Sequence, residues 1–395
     1  MAVNDLGFNQ LATILNAIQQ QATGQSAPVA TDTSSFVTVG QTVLKTGYEP
    51  MLNAISQVLG RTIFSIRPYD RKFKGLEVDS QRWGNHVRKI TPLDKPFEED
   101  DRIKLVDGQS IDPFVVNKPD AIQTNFYGEN VYQKSLTLFR DQLDTAFQGP
   151  EQFGSFVSMI MQNASDLIEQ AHEDMARMTL ANLIGAKKIY QDTVDTTGTH
   201  VVNLLTEYND YAGTTLTAVT VKQPANFEPF IKWAYAYIKT VSDKMTERSN
   251  LYHYNFGENI ARHTPKRDQR LFIYSPEINN VEASVLSSVF HPDEVSNKID
   301  ITERVNFWQG IKSGGTINVT PSYVNALGAS TTGAAQSLDY VFAVLMDREA
   351  AGVTMVNQWS DSIWNPRGGY SNLYWHFTDR YYNDFSENAV IFIIE

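Results

Sequence analysis

The feature that most constrains this chain is a proline-free stretch from Glu151 to Lys188. In it Phe153, Phe156, Val157, Ile160, Met161, Ala164, Leu167, Ile168, Ala171, Met175, Met178 and Leu183 recur mostly three or four residues apart. The spacing predicts one helix of about 35 residues, roughly 50 Å long. That is about three times the mean for globular helices. The stripe is wide and never settles into a strict heptad, so it predicts a helix lying across a sheet rather than a coiled coil. The sheet is expected from the C-terminal end. Asp339 to Met346 and Ala389 to Ile394 are near-continuous apolar runs, the pattern of central strands covered on both faces. Leu373, Trp375 and Phe377 alternate with Tyr374, His376 and Thr378, the pattern of a half-buried strand. A helix packed on strands that lie 200 residues downstream makes a body closed by distant segments.

The flanking segments read differently. Up to residue 47 the only acids are Asp5 and Asp32, and the first base is Lys45. Leu11, Ile14, Leu15 and Ile18 sit at helical spacing, followed by an Ala, Thr, Gly, Ser and Pro-rich stretch from Ala22 to Ser35. A short amphipathic helix on a flexible strap is expected, and its stripe needs a neighbour to cover it. A second short helix is expected from Pro50 through Met51, Leu52, Ile55, Val58 and Leu59 to Gly60. Strand signals follow at Ile63, Phe64 and Ile66, at Val87 to Ile90, and across Ile122 to Leu138 with Gly128 between. Residues 67 to 120 hold five prolines and few apolar pairs, too little for a core. They are expected to form a long two-stranded ribbon that projects from the body and lies on another surface. Its charge is polarised. Residues 61 to 95 hold nine Lys or Arg against four acids, and residues 96 to 144 hold five against ten. Arg71, Lys72 and Lys74 fall in the basic half and Glu98, Glu99, Asp100 and Asp101 in the acidic half. The two sets either pair across the ribbon or are offered to a neighbour.

Residues 187 to 225 include nine threonines and are expected to be an exposed, strand-poor insertion. Phe227, Phe230, Ile231, Ala234, Ile238, Val241 and Met245 mark a further amphipathic helix. Leu271 to Tyr274 reads as a strand. A helix capped by Ser275 and Pro276 should follow, bearing Ile278, Val281, Val285, Leu286 and Val289 and stopped by His291-Pro292. Another strand is expected at Lys298 to Val305. The divisions are therefore 1–60, 61–139, 140–225, 226–335 and 336–395, the fourth an α/β unit inserted in the body.

Chemistry is sparse. The chain carries 33 Lys and Arg against 45 Asp and Glu, net −12, which argues against gripping duplex DNA. Zero cysteines exclude disulfides and thiolate sites. There is no phosphate loop, no serine elbow and no metal-ligand spacing, and Gly314-Gly315 and Gly368-Gly369 read as turns. His172, Glu173 and Asp174 are adjacent, so on a helix they point about 100° apart and cannot chelate together. No catalytic residue, cofactor or metal is expected. The basic loop around Arg262, Lys266, Arg267 and Arg270 reads as a solvated or subunit-contact face. Nine aromatics lie between Trp359 and Phe385, a density that suits either a sugar-binding face or a core sheet; the alternation favours the sheet. No apolar run approaches a bilayer span, and the N-terminus lacks a basic secretory region, so a cytoplasmic origin is expected.

The order of these parts resembles the major capsid proteins of tailed phages. The likeness is closest to the small phi-twenty-nine-like podophages, in Gly154-Ser155-Phe156-Val157-Ser158-Met159-Ile160 and in the stretch from Asp293 to Trp308. The resemblance implies an α+β fold of the Hong Kong 97 type: N-arm, extended E-loop ribbon, long spine helix, peripheral sheet and inserted axial domain. It implies a shell protein without an active site, assembling through pentamers and hexamers into an icosahedral head. Its partners would be itself, a separate scaffold protein, a portal protein and weakly contacted packaged DNA, with no membrane. The virion would be its location, after assembly in the host cytoplasm. Assembly contacts are expected from Leu11, Ile14, Leu15 and Ile18 of the arm and from the charged residues of the ribbon. Relatives can carry an immunoglobulin-like C-terminal domain, for which no room is expected after Ile394-Glu395. Rival readings are an encapsulin-like cargo shell of the same fold, and a carbohydrate-binding or carbohydrate-active protein using residues 359 to 385.

Overall fold

A computed structural model describes residues 8–26, 28–45, 72–78, 87–93, 97–116, 118, 121–139, 150–196, 199–255, 260–276, 302–310, 313–325 and 329–395. The long helix α3 runs from Pro150 to Thr193, 44 residues and so about 66 Å, a turn or two longer at its C-terminal end than the apolar stripe predicts. Ile189 and Tyr190 are buried and carry it past Lys188. The side chains of the stripe's first half, Phe153 to Ala164, lie outside the described residues. From Ile168 onward Met175, Ala176, Leu180, Ala181, Leu183 and Ile184 are buried, while Leu167 and Met178 are exposed.

Two sheets meet this helix. The first is five-stranded, ordered β4 (Val201–Asn203), β14 (Ala389–Ile393), β11 (Val341–Asp347), β5 (Gln269–Tyr274) and β6 (Glu303–Val305). Its central pairs are antiparallel and both edge pairs are parallel. Every residue of β11 and β14 is buried, as their continuous apolar runs require. One face packs Val341, Val344, Met346, Ile391 and Ile393 against the C-terminal half of α3. The other packs Phe342, Leu345, Val390 and Phe392 against helices α4 (Leu204–Ala212) and α5 (Pro224–Lys244). All seven residues of the predicted face on α5, Phe227 to Met245, are buried.

The second sheet is antiparallel, with β13 (Tyr370–Asn383) between β12 (Ala351–Asn365) and β3 (Glu129–Phe139). Leu373, Trp375 and Phe377 are buried, their alternates half-buried, and α3 contacts both β12 and β13. The C-terminal 60 residues therefore do not form one sheet. β13 pairs with the strand that follows the ribbon, whereas β11 pairs with β5 of the segment expected to be an insertion and β14 pairs with β11 and β4. An apolar run reports coverage on two faces but not which strand lies beside it. The segment 187 to 225 also departs from expectation: it contributes the end of α3, edge strand β4 and α4, with Val201, Val202, Leu204 and Leu205 buried.

The arm is a helical hairpin. Helix α1 (Phe8–Thr23) packs on α2 (Thr33–Lys45), and both contact α3. Leu11, Ile14, Leu15 and Ile18 are buried by this chain, along with Phe36, Val39 and Val43. The expected strap shortens to residues 24–32 because Asp32 caps α2: its carboxylate accepts the Ser35 N–H at 2.8 Å, which holds the Asp32 carboxyl below its usual range. The helix expected at 50–60, the strand at 63–66, and the helix from Ile278 to His291 lie outside the described residues.

A charged cluster is enclosed where α3 crosses the five-stranded sheet. Lys187 is wholly buried; its Nζ donates to the Tyr252 carbonyl at 2.9 Å and sits over the Tyr254 ring. Burial pushes this amine down to about 7 against the pull of Asp384 and Glu387. Burial and then the Lys187 charge push His253 down to about 4, and His200, beside Asp195 at 3.0 Å, lower still. These imidazoles stay neutral when folded and protonate near 6.5 when unfolded. The unfolded chain thus binds more protons between about 4 and 6.5, and stability falls as pH drops through that window. The melting temperature should decline from pH 6.5 to 4, and less steeply in His253→Gln; equal slopes would remove the assignment. Ile168→Asp, placing a carboxylate in the α3 contact, should leave the protein insoluble, which a soluble fraction assay reads.

Candidate assembly surfaces

The ribbon is built from β1 (Val87–Pro92) and β2 (Ala121–Phe126), antiparallel from Val87 opposite Phe126 to Pro92 opposite Ala121. Gly128 then turns the chain from β2 into β3. A Cβ there would lie 2.1 Å from the Tyr381 carbonyl oxygen, so only glycine lets the ribbon leave the sheet at this point.

The root is clamped on α3. Phe73 is buried in a left-handed conformation, φ 65°, before the short 3₁₀ turn Lys74–Leu76. Its N–H donates to Glu303 Oε1 at 2.7 Å, and the Lys72 N–H donates to Glu173 Oε2 at 2.9 Å. Arg177 pairs with Glu173 at 2.5 Å, donates to the Phe307 carbonyl and lies over the Phe73 and Phe307 rings. Lys72 and Lys74 are exposed but belong to this root on the body, not to the ribbon's projecting half; Arg71 lies outside the described residues. His172, Glu173 and Asp174 diverge as their helical phase requires, His172 Nδ1 meeting Asp379 at 2.8 Å.

A second clamp holds β1. Lys89 Nζ contacts Asp384 at 2.5 Å and also Glu387, and Arg262 donates to Thr91 Oγ1 at 3.0 Å while facing Glu387 at 3.8 Å. Burial alone would lower the Lys89 amine, yet the two carboxylates hold it above its usual value. This clamp uses Arg262 from the loop read as a contact face. Lys266 pairs with Asp243 at 2.6 Å, and Arg270 donates to the Arg267 and Gln269 carbonyls.

Beyond the clamps every described residue from 97 to 116 is exposed. Phe97 is fully exposed, Phe114 at 85% and Val116 at 76%, with Ile103, Val106, Ile111 and Val115 also in solvent. Glu98, Glu99, Asp100 and Asp101 are all in this tip. Asp100 caps the turn Asp101–Lys104 and binds Arg102 at 2.5 Å, which keeps its carboxyl low; Lys104 faces Glu99 and Asp101 at 3.9 and 3.8 Å. The acids thus find their described ion pairs inside the tip, not with Lys72 or Lys74. Of the aromatics between 359 and 385, Trp375 and Phe377 are core, and Trp359 stacks on His376 at 3.8 Å. Among the described residues no group of His, Asp or Glu could hold a metal, and no helix is long and apolar enough to cross a membrane.

A long helix across two sheets, with a clamped ribbon ending in a solvent-exposed tip, defines the α+β shell subunit of the Hong Kong 97 type. Solved structures share it. The capsid structure of Staphylococcus phage Andhra matches with a TM-score of 0.52 at 11% identity, over 82% of this chain and 84% of that one. A chain in the structure of the head fiber and inner core protein of native bacteriophage P68 matches at 0.53 and 11%, over 82% and 85%. No curated protein matches. Residues 14–393 match the Phi29-like phage major capsid protein family, and the chain belongs to that family. Its role is structural, in the phage capsid, and the encapsulin and carbohydrate readings are not favoured.

Replacing Lys89 by Met should cost about 3 kcal/mol, the low end for breaking a buried pair, because Asp384 and Glu387 are left facing each other. Urea unfolding reads it, and an unchanged midpoint would mean that the clamp is solvated.

Proposed function

We propose that copies of this chain close an icosahedral phage head around double-stranded DNA through pentamers and hexamers, each ribbon tip lying on the next copy. The tip carries this reading: eight large apolar side chains, Leu105 among them, stand in solvent on a ribbon anchored at its root by two ion-pair clamps. An exposed apolar group of that size held on a rigid base is an unfinished contact. The six acids and two bases of residues 97 to 116 favour a basic landing surface. The net charge of −12 supports weak contact with packaged DNA, so the head would release its contents easily. A separate scaffold, a portal protein and assembly in the host cytoplasm belong to the same reading. Leu11, Ile14, Leu15 and Ile18 do not, since their own chain covers them; the arm would touch neighbours through its other faces.

In Phe97→Ser/Phe114→Ser/Val116→Ser the melting temperature should stay at the wild-type value while particle yield by electron microscopy falls at least tenfold. Normal particles from this triple variant would show the tip to be uninvolved.

A further inference from the structure

On the outer side of α4 and α5 three aromatic rings form a ledge. Trp233 lies 5.9 Å from Tyr211 at 32° and 5.0 Å from Tyr237 at 33°. These shallow angles make an open surface, not a box. Buried Tyr208 and Phe230 support it from beneath, Tyr208 meeting Trp233 edge-on at 5.5 Å. Tyr211 is 74% exposed. Glu207 and Asp210, both exposed, stand on the same short helix, Glu207 close enough for its charge to act on the Tyr237 phenol. Among the described residues neither carboxylate has an ion-pair or hydrogen-bond partner. Rigid aromatic faces beside unpaired carboxylates select a guanidinium, which stacks on the rings while its N–H groups meet the acids.

The chain carries that group elsewhere. After α5 the loop to β5 brings Arg267 beside the β11–β12 turn bearing Arg348, and the Arg348 N–H donates to the Asp268 carbonyl at 2.9 Å. Both guanidinia, 85% and 56% exposed, share the single Asp268 carboxylate at 3.3 and 3.7 Å. Among these three groups one positive charge is left over, while the neighbouring Glu349 faces Lys89 at 3.9 Å. Within one chain the rim makes no described contact with the ledge: Lys266 pairs with Asp243, six residues and about 9 Å along α5 from Tyr237 and ten residues and about 15 Å from Trp233.

We propose that the ledge of one copy receives the Arg267–Arg348 rim of the next. This rests on the shell reading above and names a contact that the ribbon does not make. Two different complementary patches on one body give a head-to-tail contact, the kind that closes rings. Tyr, Trp and Arg are also the residues that dominate the energy of protein interfaces.

The chain has no cysteine, so a pair can be introduced cleanly. Particles of Tyr211→Cys/Arg267→Cys, treated with a short bismaleimide, should give a ladder on denaturing gels that extends beyond dimers. Either single variant should give none. Normal particles without a ladder, or cross-linked dimers from a single variant in the yield of the double one, overturn the contact. Glu207→Arg/Asp210→Arg and Arg267→Glu/Arg348→Glu should each cut particle yield at least tenfold at an unchanged melting temperature, and the fourfold variant should restore it; failure to restore also overturns it. If the wild type forms no particles, the shell reading falls, and the cross-link on concentrated soluble protein decides the contact separately: a ladder sustains it and monomers overturn it.

Discussion

An apolar stripe on a helix 44 residues long has to be covered along its length, and no single sheet of ordinary strands is wide enough to do so. α3 meets the five-stranded sheet, β12 and β13, and the arm hairpin; within its C-terminal half His172 reaches Asp379 and Asn182 reaches Asn383, both on β13. Where coverage passes between the sheets the helix carries charge instead of apolar groups. His172, Glu173 and Arg177 are all buried there and all matched, to Asp379, to the Lys72 N–H and to each other. That matched charge is where the ribbon begins. The helix therefore does two jobs with one surface: it closes the core and it sets the position from which the ribbon departs.

What the sequence makes legible is periodicity. The 3.6-residue stripes of α5 and, from Ile168 on and apart from the exposed Met178, of α3, and the continuous runs of β11 and β14, report burial directly. Partnership is a different kind of information. Nothing in Val341 to Met346 names β5 as its neighbour, so strands adjacent in sequence are easily assigned to one sheet when a hairpin of β12 and β13 leaves it and returns. The arm hides α2 for another reason. Thr, Ser and Val have low helix propensity, and the composition reads as a strap, yet Asp32 three residues before Ser35 and the spacing of Phe36, Val39 and Val43 are a legible cap and stripe. At the ribbon root the anchoring falls to the buried Phe73 and Leu76, not to the exposed bases beside them.

The proposed assembly surfaces are legible only as absences. Residues 97 to 116 have too few apolar pairs for a core, and they stand in solvent. The ledge of Tyr211, Trp233 and Tyr237 could not be read at all, because its rings come from two helices that only the fold brings together. Its acids look like ordinary solvated residues in the sequence.

The chain divides its apolar and charged groups between two tasks. Strongly matched groups, the Glu173–Arg177 pair and the Lys89 cluster, are spent inside one copy, where the geometry must not vary. Groups left exposed would make contacts that are individually weak, about 0.2 to 1 kcal/mol for a solvated ion pair. Weakness of that kind suits a closed shell. A subunit joined by one weak contact leaves again, whereas one held at the ribbon and on both sides of its body is retained, because each further contact forms at the high effective concentration set by the first. A rigid root is what makes that multiplication work: a tip on a loose ribbon would spend its contact energy on ordering itself.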